Sequence, residues 1–254
     1  MIAEAMQYAA TYAVTPGEFR PFINSSVSLW SRATRCASAW RPHEGNCLRF
    51  VSETIDGLRQ RRTAVVLGSG LVRDVPVEAL ARAFDTVVLV DLVHLSSVRL
   101  WLTAKRLGNV RLVHRDLSGL QDALAGKRPE PLAFLRQVPY LDLVVSANLL
   151  SQIGVGAERS LEQGKRAAPS EIVPELIAAH LRGLRDIPCA TVLMTDISYR
   201  VLGRSGEVQA FADLMNGVPL ADIDARWDWP VVPFGEESSD YRIVHEVVAR
   251  RVLR

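Results

Sequence analysis

The spacing of apolar residues along the chain changes near residue 62. Upstream of that point, apolar positions recur at helical spacing, most clearly over Val27 to Trp40 and over Glu44 to Arg62. Arg41-Pro42 separates these two stretches, and the polar residues 24–26 offer N-caps for the first of them. Residues 1–62 are therefore predicted to form a helical N-terminal cap.

From Thr63 onward, short apolar runs alternate with helical segments. Five runs have the character of buried strands: Ala64–Leu67, Thr86–Val90, Val110–His114, Leu141–Ala147 and Ala190–Met194. Four helical segments lie between them: Val77–Ala83, Ser96–Arg106, Ser118–Ala125 and Glu171–Asp186. Runs that are apolar on both faces belong to a parallel sheet with helices on both sides, so residues 63–254 are predicted to form one α/β domain.

The pattern is less regular in two places. Gly154–Ser170 is polar and punctuated by glycine and proline, which predicts a loop or lid outside the core. Near the end of the chain, Val208–Met215 is predicted to be a short helix and Val231–Phe234 an extended segment. Tyr241–Val252 alternates well enough to be a final strand.

A glycine-rich turn follows the first predicted strand. The stretch Thr63–Pro76 reads TAVVLGSGLVRDVP, with Gly68, Ser69 and Gly70 between the strand and the next helix. Asp91 ends the second strand, about 20 residues beyond the glycines. In α/β folds this arrangement holds an adenosine ribose, because the turn lets the backbone approach the ligand and the acid accepts bonds from the ribose hydroxyls.

The residues after the glycines argue against a phosphate ligand. In dinucleotide sites a third glycine precedes the helix whose amides bind the pyrophosphate, but Arg73 stands at that position here. Asp74 lies next to the predicted helix start and is expected to cap it, which would compete with a phosphate for the same amides. The turn therefore favours an adenosine ligand without a diphosphate, and an NAD-linked oxidoreductase is disfavoured.

Further polar residues stand at the ends of the other strands. Leu92 follows the ribose acid and offers apolar surface for an adenine ring. Asp116 follows the third strand, where it could accept a bond from an exocyclic amine or cap the next helix. The fourth strand reads DLVVSANLLSQIG and places Ser146 and Asn148 at its carboxyl end. Open parallel sheets bind ligands at this edge.

Together, Thr63 to Gly154 resembles the class I S-adenosylmethionine-dependent methyltransferases. The resemblance implies a Rossmann-like three-layer sandwich with a mostly parallel sheet of about seven strands, and S-adenosylmethionine as cofactor. It implies the following cofactor-binding residues: Gly68, Ser69, Gly70, Asp91, Leu92, Asp116, Leu117, Ser146 and Asn148. Two positions depart from the family pattern, because Val66 replaces the usual acid before the glycines and Val72 replaces a further glycine.

Candidate catalytic residues are few. Asn148 lies where the family faces the reacting methyl group, and His94 follows the ribose acid closely, so both are considered. No spacing indicates a Ser/His/Asp or Cys/His arrangement. Trp227 and Trp229 either pack the last strands or form a wall of an acceptor pocket. His43 and Cys47 share a helix face, but a full ligand set is missing, so no metal site is predicted.

Composition and net charge limit the classes of partner that the sequence predicts. The net charge is +2, and the basic residues are spread through predicted helices, so no footprint for nucleic acid or an anionic membrane stands out. Three cysteines without paired spacing fit a reducing cytosol. No apolar run reaches the ~18 residues of a membrane span, and the N-terminus lacks a basic signal region. We expect a cytoplasmic protein and leave its oligomeric state open.

The favoured hypothesis is methyl transfer from S-adenosylmethionine to a small-molecule acceptor. One alternative is a non-catalytic S-adenosylmethionine- or nucleoside-binding regulatory protein of the same fold, because the usual acid is absent at Val66. Another is a transferase that uses a pterin or a nucleotide diphosphate in the same turn. Cofactor binding and turnover distinguish these hypotheses.

Overall fold

The computed structural model describes residues 1–163 and 169–253, and an eight-stranded sheet forms the centre of this part of the chain. The strands are β1 (Thr63–Leu67), β2 (Thr86–Asp91), β3 (Val110–His114), β4 (Leu141–Ala147), β5 (Ala190–Gly203), β6 (Val208–Asp213), β7 (Ala225–Val232) and β8 (Tyr241–Val252). Their order is β3-β2-β1-β4-β5-β8-β7, with β6 paired to β5 outside this path. Within β3-β2-β1-β4-β5 every neighbouring pair is parallel. Strands β6 and β8 pair antiparallel with β5, and β7 pairs antiparallel with β8.

Helices cover both faces of the sheet. Their bounds are α1 (Ile2–Val14), α2 (Ile23–Arg35), α3 (Ala37–Asp56), α4 (Val77–Ala83), α5 (Ser96–Ala104), α6 (Leu120–Leu124), α7 (Leu150–Gln163) and α8 (Ile172–Asp186), with 3-10 turns at Gly17–Phe22 and Ala133–Gln137. Helices α2 to α5 bury apolar residues against one face, and α6 to α8 against the other. The predicted Rossmann-like three-layer α/β sandwich with a mostly parallel sheet is confirmed.

Strand β1 contributes side chains to both hydrophobic cores, one on each face of the sheet. All five of its residues are buried. Ala64 and Val66 belong to the cluster on the α2–α5 face, whereas Val65 and Leu67 belong to the cluster on the opposite face. Alternate side chains of a strand point to opposite faces of the sheet. Helices cover both faces here, so the side chains on both faces of β1 are buried.

The N-terminal helices divide at a different place from the one predicted. The break falls at Cys36, and α3 runs through Pro42 to Asp56. The predicted interruption at Arg41-Pro42 is therefore wrong. Proline costs this helix a backbone hydrogen bond, but Trp40 and Cys47 on either side of it are buried, and their packing holds the helix together.

Two other local predictions are also wrong. The stretch predicted as a polar loop from Gly154 is helical as far as Gln163, because Leu150, Ile153, Ala157 and Leu161 bury one face of α7; residues 164–168 of that prediction lie outside the described residues. The predicted helix at Val208–Met215 is strand β6, which forms a hairpin with the far end of β5. Within the described residues, no helix combines the length and apolar character that a membrane span requires.

The N-terminal helices share a hydrophobic core with the sheet. Ile23 of α2 and Phe50 of α3 belong to the same buried cluster as Val66 of β1. The boundary at residues 62 and 63 remains a prediction, although β1 does begin at Thr63.

Candidate functional site

The glycine turn after β1 is held tightly at its first glycine and is open at its second. Gly68 has a φ of +72°, and its amide donates to the carbonyl of Val90 at 2.9 Å. A Cβ at Gly68 would lie 3.0 Å from both the carbonyl oxygen of Ala147 and the Cβ of Leu149. Gly70 has a φ of +48°, and a Cβ there would meet nothing nearer than the carbonyl oxygen of Gly68 at 3.9 Å. The space beside Gly70 is therefore free for a ligand.

Asp91 joins this turn to the neighbouring strand. The amide of Gly70 donates to Asp91 Oδ2 at 2.7 Å, and the amide of Leu92 donates to Oδ1 at 2.7 Å. Burial raises the pKa of the Asp91 carboxyl, while these backbone donors act to lower it. We call Gly68, Ser69, Gly70, Asp91 and Leu92 the glycine-turn cluster. Each carboxylate oxygen can accept more than one bond, so the carboxylate has capacity left for ligand hydroxyls.

The residues predicted after β3 lie at different depths. Asp116 is exposed, and its Oδ1 accepts the amide of Ser118 at 2.8 Å. Helix α6 begins after Gly119 without a side-chain cap, so the alternative in which Asp116 caps that helix is wrong. Leu117 is buried among the apolar residues on the α6–α8 face. The contact of Asp116 with an adenine amine stays a prediction.

His94 is fully buried behind the segment that follows Asp91. Its Nε2 lies 3.0 Å from the carbonyl oxygen of Val113, and its ring meets His114 edge-on at a centroid distance of 4.9 Å. Burial lowers the pKa of His94 to about 4. His114 in turn lies 2.9 Å from the carbonyl oxygen of Leu92 through Nδ1. The two rings therefore brace the glycine-turn cluster from behind.

At the end of β4, two predicted residues point to different environments. Ser146 is fully buried, and its hydroxyl lies 3.0 Å from Nε2 of His180 on α8. Asn148 has a φ of +49°, and its backbone amide donates to the carbonyl of Met194 at 2.8 Å. Its side-chain Oδ1 is buried without a hydrogen-bond partner among the described residues. Asn148 therefore carries an acceptor atom that is free to bind a ligand.

Asp74 does not cap a helix. Helix α4 begins after Pro76 without a side-chain cap, so the predicted capping role is wrong. Its Oδ2 instead accepts the side-chain amide of Asn148 at 2.5 Å. Burial raises the pKa of the Asp74 carboxyl, and the nearby Glu44 and Asp91 raise it further. Asp74 and Asp91 thus place two carboxyl groups beside the same turn.

His43 of α3 lies at the centre of a second group of side chains. Its Nδ1 accepts the indole N–H of Trp227 at 3.0 Å, and its ring stacks on Trp229 at a centroid distance of 4.0 Å. Its Nε2 lies 3.4 Å from the side-chain nitrogen of Asn148. Burial lowers the pKa of His43 to about 4, so the ring is neutral near pH 7.

A buried carboxylate extends this group across β5. Asp196 accepts the hydroxyl of Ser151 at 2.5 Å on Oδ1, and its Oδ2 lies 2.6 Å from Nδ1 of His245. The ring of His245 meets Trp229 edge-on at 5.9 Å. We call the whole group the histidine cluster: His43, Asp74, Asn148, Ser151, Asp196, Trp227, Trp229 and His245. Because Asp196 lies between the serine and the histidine, these three residues do not have the Ser–His–Asp order of a nucleophilic triad.

The N-terminal helices close over both clusters. Arg73, just past the glycines, pairs with Glu44 of α3 at 2.7 Å and donates to the carbonyl of Ala33 at 3.0 Å. On the other side of the turn, the hydroxyl of Thr11 in α1 accepts the first amide of α5, at Ser96, at 3.0 Å. The cap is therefore anchored on each side of the glycine turn.

No cluster of three or more His, Cys, Asp or Glu side chains in the described parts of the chain has the arrangement of a metal site. His43 and Cys47 do share a buried helix face, with Cys47 Sγ 3.7 Å from the imidazole Nε2. Burial raises the pKa of this thiol above its ordinary value, which keeps it protonated.

Comparison with known proteins finds likeness at the level of the fold. No family model and no curated protein matches the chain. Among solved structures, YcgJ of Bacillus subtilis is 10% identical, with a TM-score of 0.43 over 83% of this chain and 99% of its own. The N-methyltransferase NodS of Bradyrhizobium japonicum, solved with S-adenosyl-L-homocysteine, is 13% identical, with a TM-score of 0.41 over 83% of this chain and 86% of its own.

A S-adenosylmethionine-dependent methyltransferase of Aquifex aeolicus is 11% identical, with a TM-score of 0.33 over 79% of this chain and 88% of its own.

Proposed function

We propose that the protein is a S-adenosylmethionine-dependent methyltransferase that acts on a small-molecule acceptor. The observation that carries this proposal is the pair of carboxyl groups, Asp74 and Asp91, beside the glycine turn. Both carboxyl groups offer acceptor oxygens at the turn, where a diphosphate needs N–H donors or cations, so they disfavour a diphosphate. S-adenosylmethionine has no phosphate and carries a positive sulfonium and an amino group.

The residues of the glycine turn fit such a ligand. The open side of Gly70 leaves room for close approach, and Ser69 Oγ and Asn148 Oδ1 are buried polar atoms without a partner in the described part of the chain. Asp91 would bind the ribose hydroxyls, with Leu92 against the adenine. Asp74 would face the positive end. When bound, the cofactor supplies an activated methyl group, so the protein's task is to position the acceptor.

The remaining predicted residues take different roles in this proposal. Asp116 would reach the adenine amine from its exposed position. Leu117 and Ser146 would support the site from beneath, because one is buried in the core and the hydroxyl of the other is bonded to His180. The acceptor would bind at the histidine cluster. A small acceptor is favoured, because His43 is 2% exposed and the N-terminal helices cover this edge.

Isothermal titration tests the proposal. We expect S-adenosylmethionine and S-adenosylhomocysteine to bind with micromolar affinity, and Asp91→Asn to weaken both by about tenfold or more. Asp74→Asn should weaken S-adenosylmethionine by about tenfold and S-adenosylhomocysteine by a smaller factor, because only the first carries the sulfonium charge. Binding of magnesium–ATP, a pterin or NAD in place of both ligands would contradict the proposal.

A non-catalytic binding protein is the second candidate. The observation in its favour is Val66, which is fully buried in β1 where the family carries an acid. Cofactor binding without methylation of any compound in a broad acceptor panel would support it, and a single methylated product would exclude it.

A further inference from the structure

Asp196 fixes the orientation and the tautomer of the His245 ring. The carboxylate is 2% exposed and is fixed from its other side by the hydroxyl of Ser151. An ionised carboxylate only accepts hydrogen bonds, so the proton of the neutral imidazole lies on Nδ1, which faces Asp196 at 2.6 Å. Nε2 then carries a free lone pair. A carboxylate that orients an imidazole in this way also stabilises the charge that forms when Nε2 takes a proton.

The side chain of His245 keeps some exposure to solvent, whereas the other basic groups of the histidine cluster are engaged in hydrogen bonds. The side chain of His245 retains 17% exposure. His43 accepts the indole N–H of Trp227, and its lowered pKa of about 4 makes it a weak base. Asp74 is bound by Asn148. His245 is therefore the group of this cluster best able to take a proton from a bound molecule.

The surroundings of His245 are flat and aromatic. Tyr199 stacks on its ring at a centroid distance of 5.5 Å, and Trp229 meets it edge-on. The indole Nε1 of Trp229 is buried without a hydrogen-bond partner within the described residues. Trp229 also stacks on His43, whose Nε2 is near Asn148, so ring contacts lead from His245 towards the glycine turn. Walls of this kind favour a planar aromatic ligand that also bears an acceptor atom.

We propose that His245 is a catalytic base that takes the proton of a phenolic hydroxyl, and that the methyl acceptor is a small aromatic hydroxyl compound. This inference rests on the proposed function. In the step, the acceptor oxygen bonds to the methyl carbon and the sulfur–carbon bond breaks, leaving its electron pair on sulfur. The hydroxyl proton passes to Nε2 of His245. Asp196 is a positioning residue, since it acts through His245.

The test measures transfer of labelled methyl from S-adenosylmethionine to a panel of phenols, with matched anilines and fully O-methylated ethers. We expect phenols to be methylated. His245→Ala should lower kcat by ~100-fold or more. It should change the KM for the phenol little and keep the affinity for S-adenosylhomocysteine, measured by titration, within about threefold. This combination is expected of a residue that removes the proton and does not hold either ligand. Added imidazole should restore part of kcat, which a purely structural role would not allow.

Glu246→Gln is the matched control. Glu246 is the next residue of β8, so its side chain points to the opposite face of the sheet, where it accepts the hydroxyl of Ser198. Glu246 also pairs with Arg226. We expect the kcat of Glu246→Gln to stay within about twofold of wild type, because the change lies on the face opposite His245 and the amide oxygen can still accept from Ser198. Asp196→Asn is a second test that can be used if His245→Ala does not fold. It should lower kcat and leave the cofactor affinity unchanged.

The outcomes separate the two proposals. Failure of the wild-type protein to bind S-adenosylhomocysteine overturns the proposed function and the base with it. Cofactor binding with transfer to anilines alone, or with no transfer to any phenol, overturns the acceptor class. Wild-type kcat in folded His245→Ala, or in folded Asp196→Asn if the first variant does not fold, overturns the base while leaving the proposed function intact.

Discussion

The glycine-turn cluster and the histidine cluster meet at the same sheet edge but are built from different parts. The first uses mainly backbone groups from one continuous stretch, Gly68 to Leu92, with Asp91 as its single ionisable side chain. The second uses side chains that come from α3, α7, β5, β7 and β8 and from the segments after β1 and β4. A cluster made of local backbone tolerates a change of side chains around it, whereas a cluster made of distant side chains depends on the whole fold.

The largest effect should come from the first glycine of the turn. Gly68→Ala puts a Cβ 3.0 Å from the backbone oxygen of Ala147 in a left-handed conformation, and we expect the free energy of unfolding to fall by about 3 kcal/mol. Gly70→Ala is the control, since its Cβ enters open space. It should cost about 1 kcal/mol but weaken cofactor binding. Urea denaturation and titration measure both, and equal losses of stability would contradict the difference between the two glycines.

Acid should destabilise the fold through two buried histidines, His43 and His94. Burial lowers the pKa of His43 and of His94 to about 4. Below the ordinary histidine pKa the unfolded chain therefore binds protons that the fold does not. This contribution to stability is present above pH 6.5 and is lost as the pH falls towards 4. Each buried histidine should cost about 2 kcal/mol between pH 7 and pH 5.

Urea denaturation at the two pH values checks this dependence. His43→Gln and His94→Gln should each reduce the pH-dependent loss by about 2 kcal/mol, whatever their effect at pH 7. An unchanged loss in either variant would mean that the histidine in question is not the neutral, buried group described above.

The ion pair that links the N-terminal helices to the turn should have a smaller effect. Arg73 and Glu44 make two contacts, of 2.7 and 3.3 Å, at partly buried positions. A double-mutant cycle with alanine at both positions should give a coupling energy of about 1 kcal/mol. The exposed pair Arg136–Glu130 is the control and should couple by less than about 0.5 kcal/mol. Equal coupling energies would mean that the Arg73–Glu44 pair does not help to hold the N-terminal helices against the glycine turn.

The smallest expected effect is at Val72, which has a φ of +55°. This left-handed conformation costs a β-branched residue about 1–2 kcal/mol. Val72→Gly should relieve that cost while losing a partly buried side chain and gaining entropy in the unfolded chain, so the free energy of unfolding should change by less than about 1 kcal/mol. Urea denaturation checks this value. A loss above about 2 kcal/mol would indicate that the packing of Val72 outweighs its backbone strain.

The sequence predicted what depends on local patterns. The strands from β1 to β4 are apolar runs with the period of a buried sheet, and the glycine turn and Asp91 lie within about 25 residues, so their spacing indicated that they belong to one site. Val72 has a left-handed backbone, which the sequence did not indicate because this conformation is typical of glycine.

The histidine cluster could not be predicted in the same way. Asp196 and His245 are 49 residues apart, and they meet because β5 and β8 pair antiparallel. His43 and Trp227 are 184 residues apart. The local signals were Asp74 after the glycines, Asn148 after the fourth strand, His43 on one helix face with Cys47, and the pair of tryptophans near the end of the chain. None of these signals indicates its partners, because the contacts between them are tertiary.

Helix α7 and strand β6 were predicted wrongly for physical reasons of the same kind. Glycines 154 and 156 lower helix propensity, but the buried face of α7 compensates for them. Strand β6 is mostly exposed, so it lacks a buried stripe that would fix its period. It exists because β5 continues past the core and provides an edge for pairing.

The tryptophans around His43 also give the protein an optical reporter. Of its five tryptophans, Trp227 and Trp229 contact the ring of His43, and Trp40 meets Trp229 edge-on at 5.1 Å. Indole emission responds to the polarity and contacts of its surroundings, so a molecule that enters between these rings should alter the intrinsic fluorescence. Compounds could then be ranked by emission at the histidine cluster without a label and before any turnover is known.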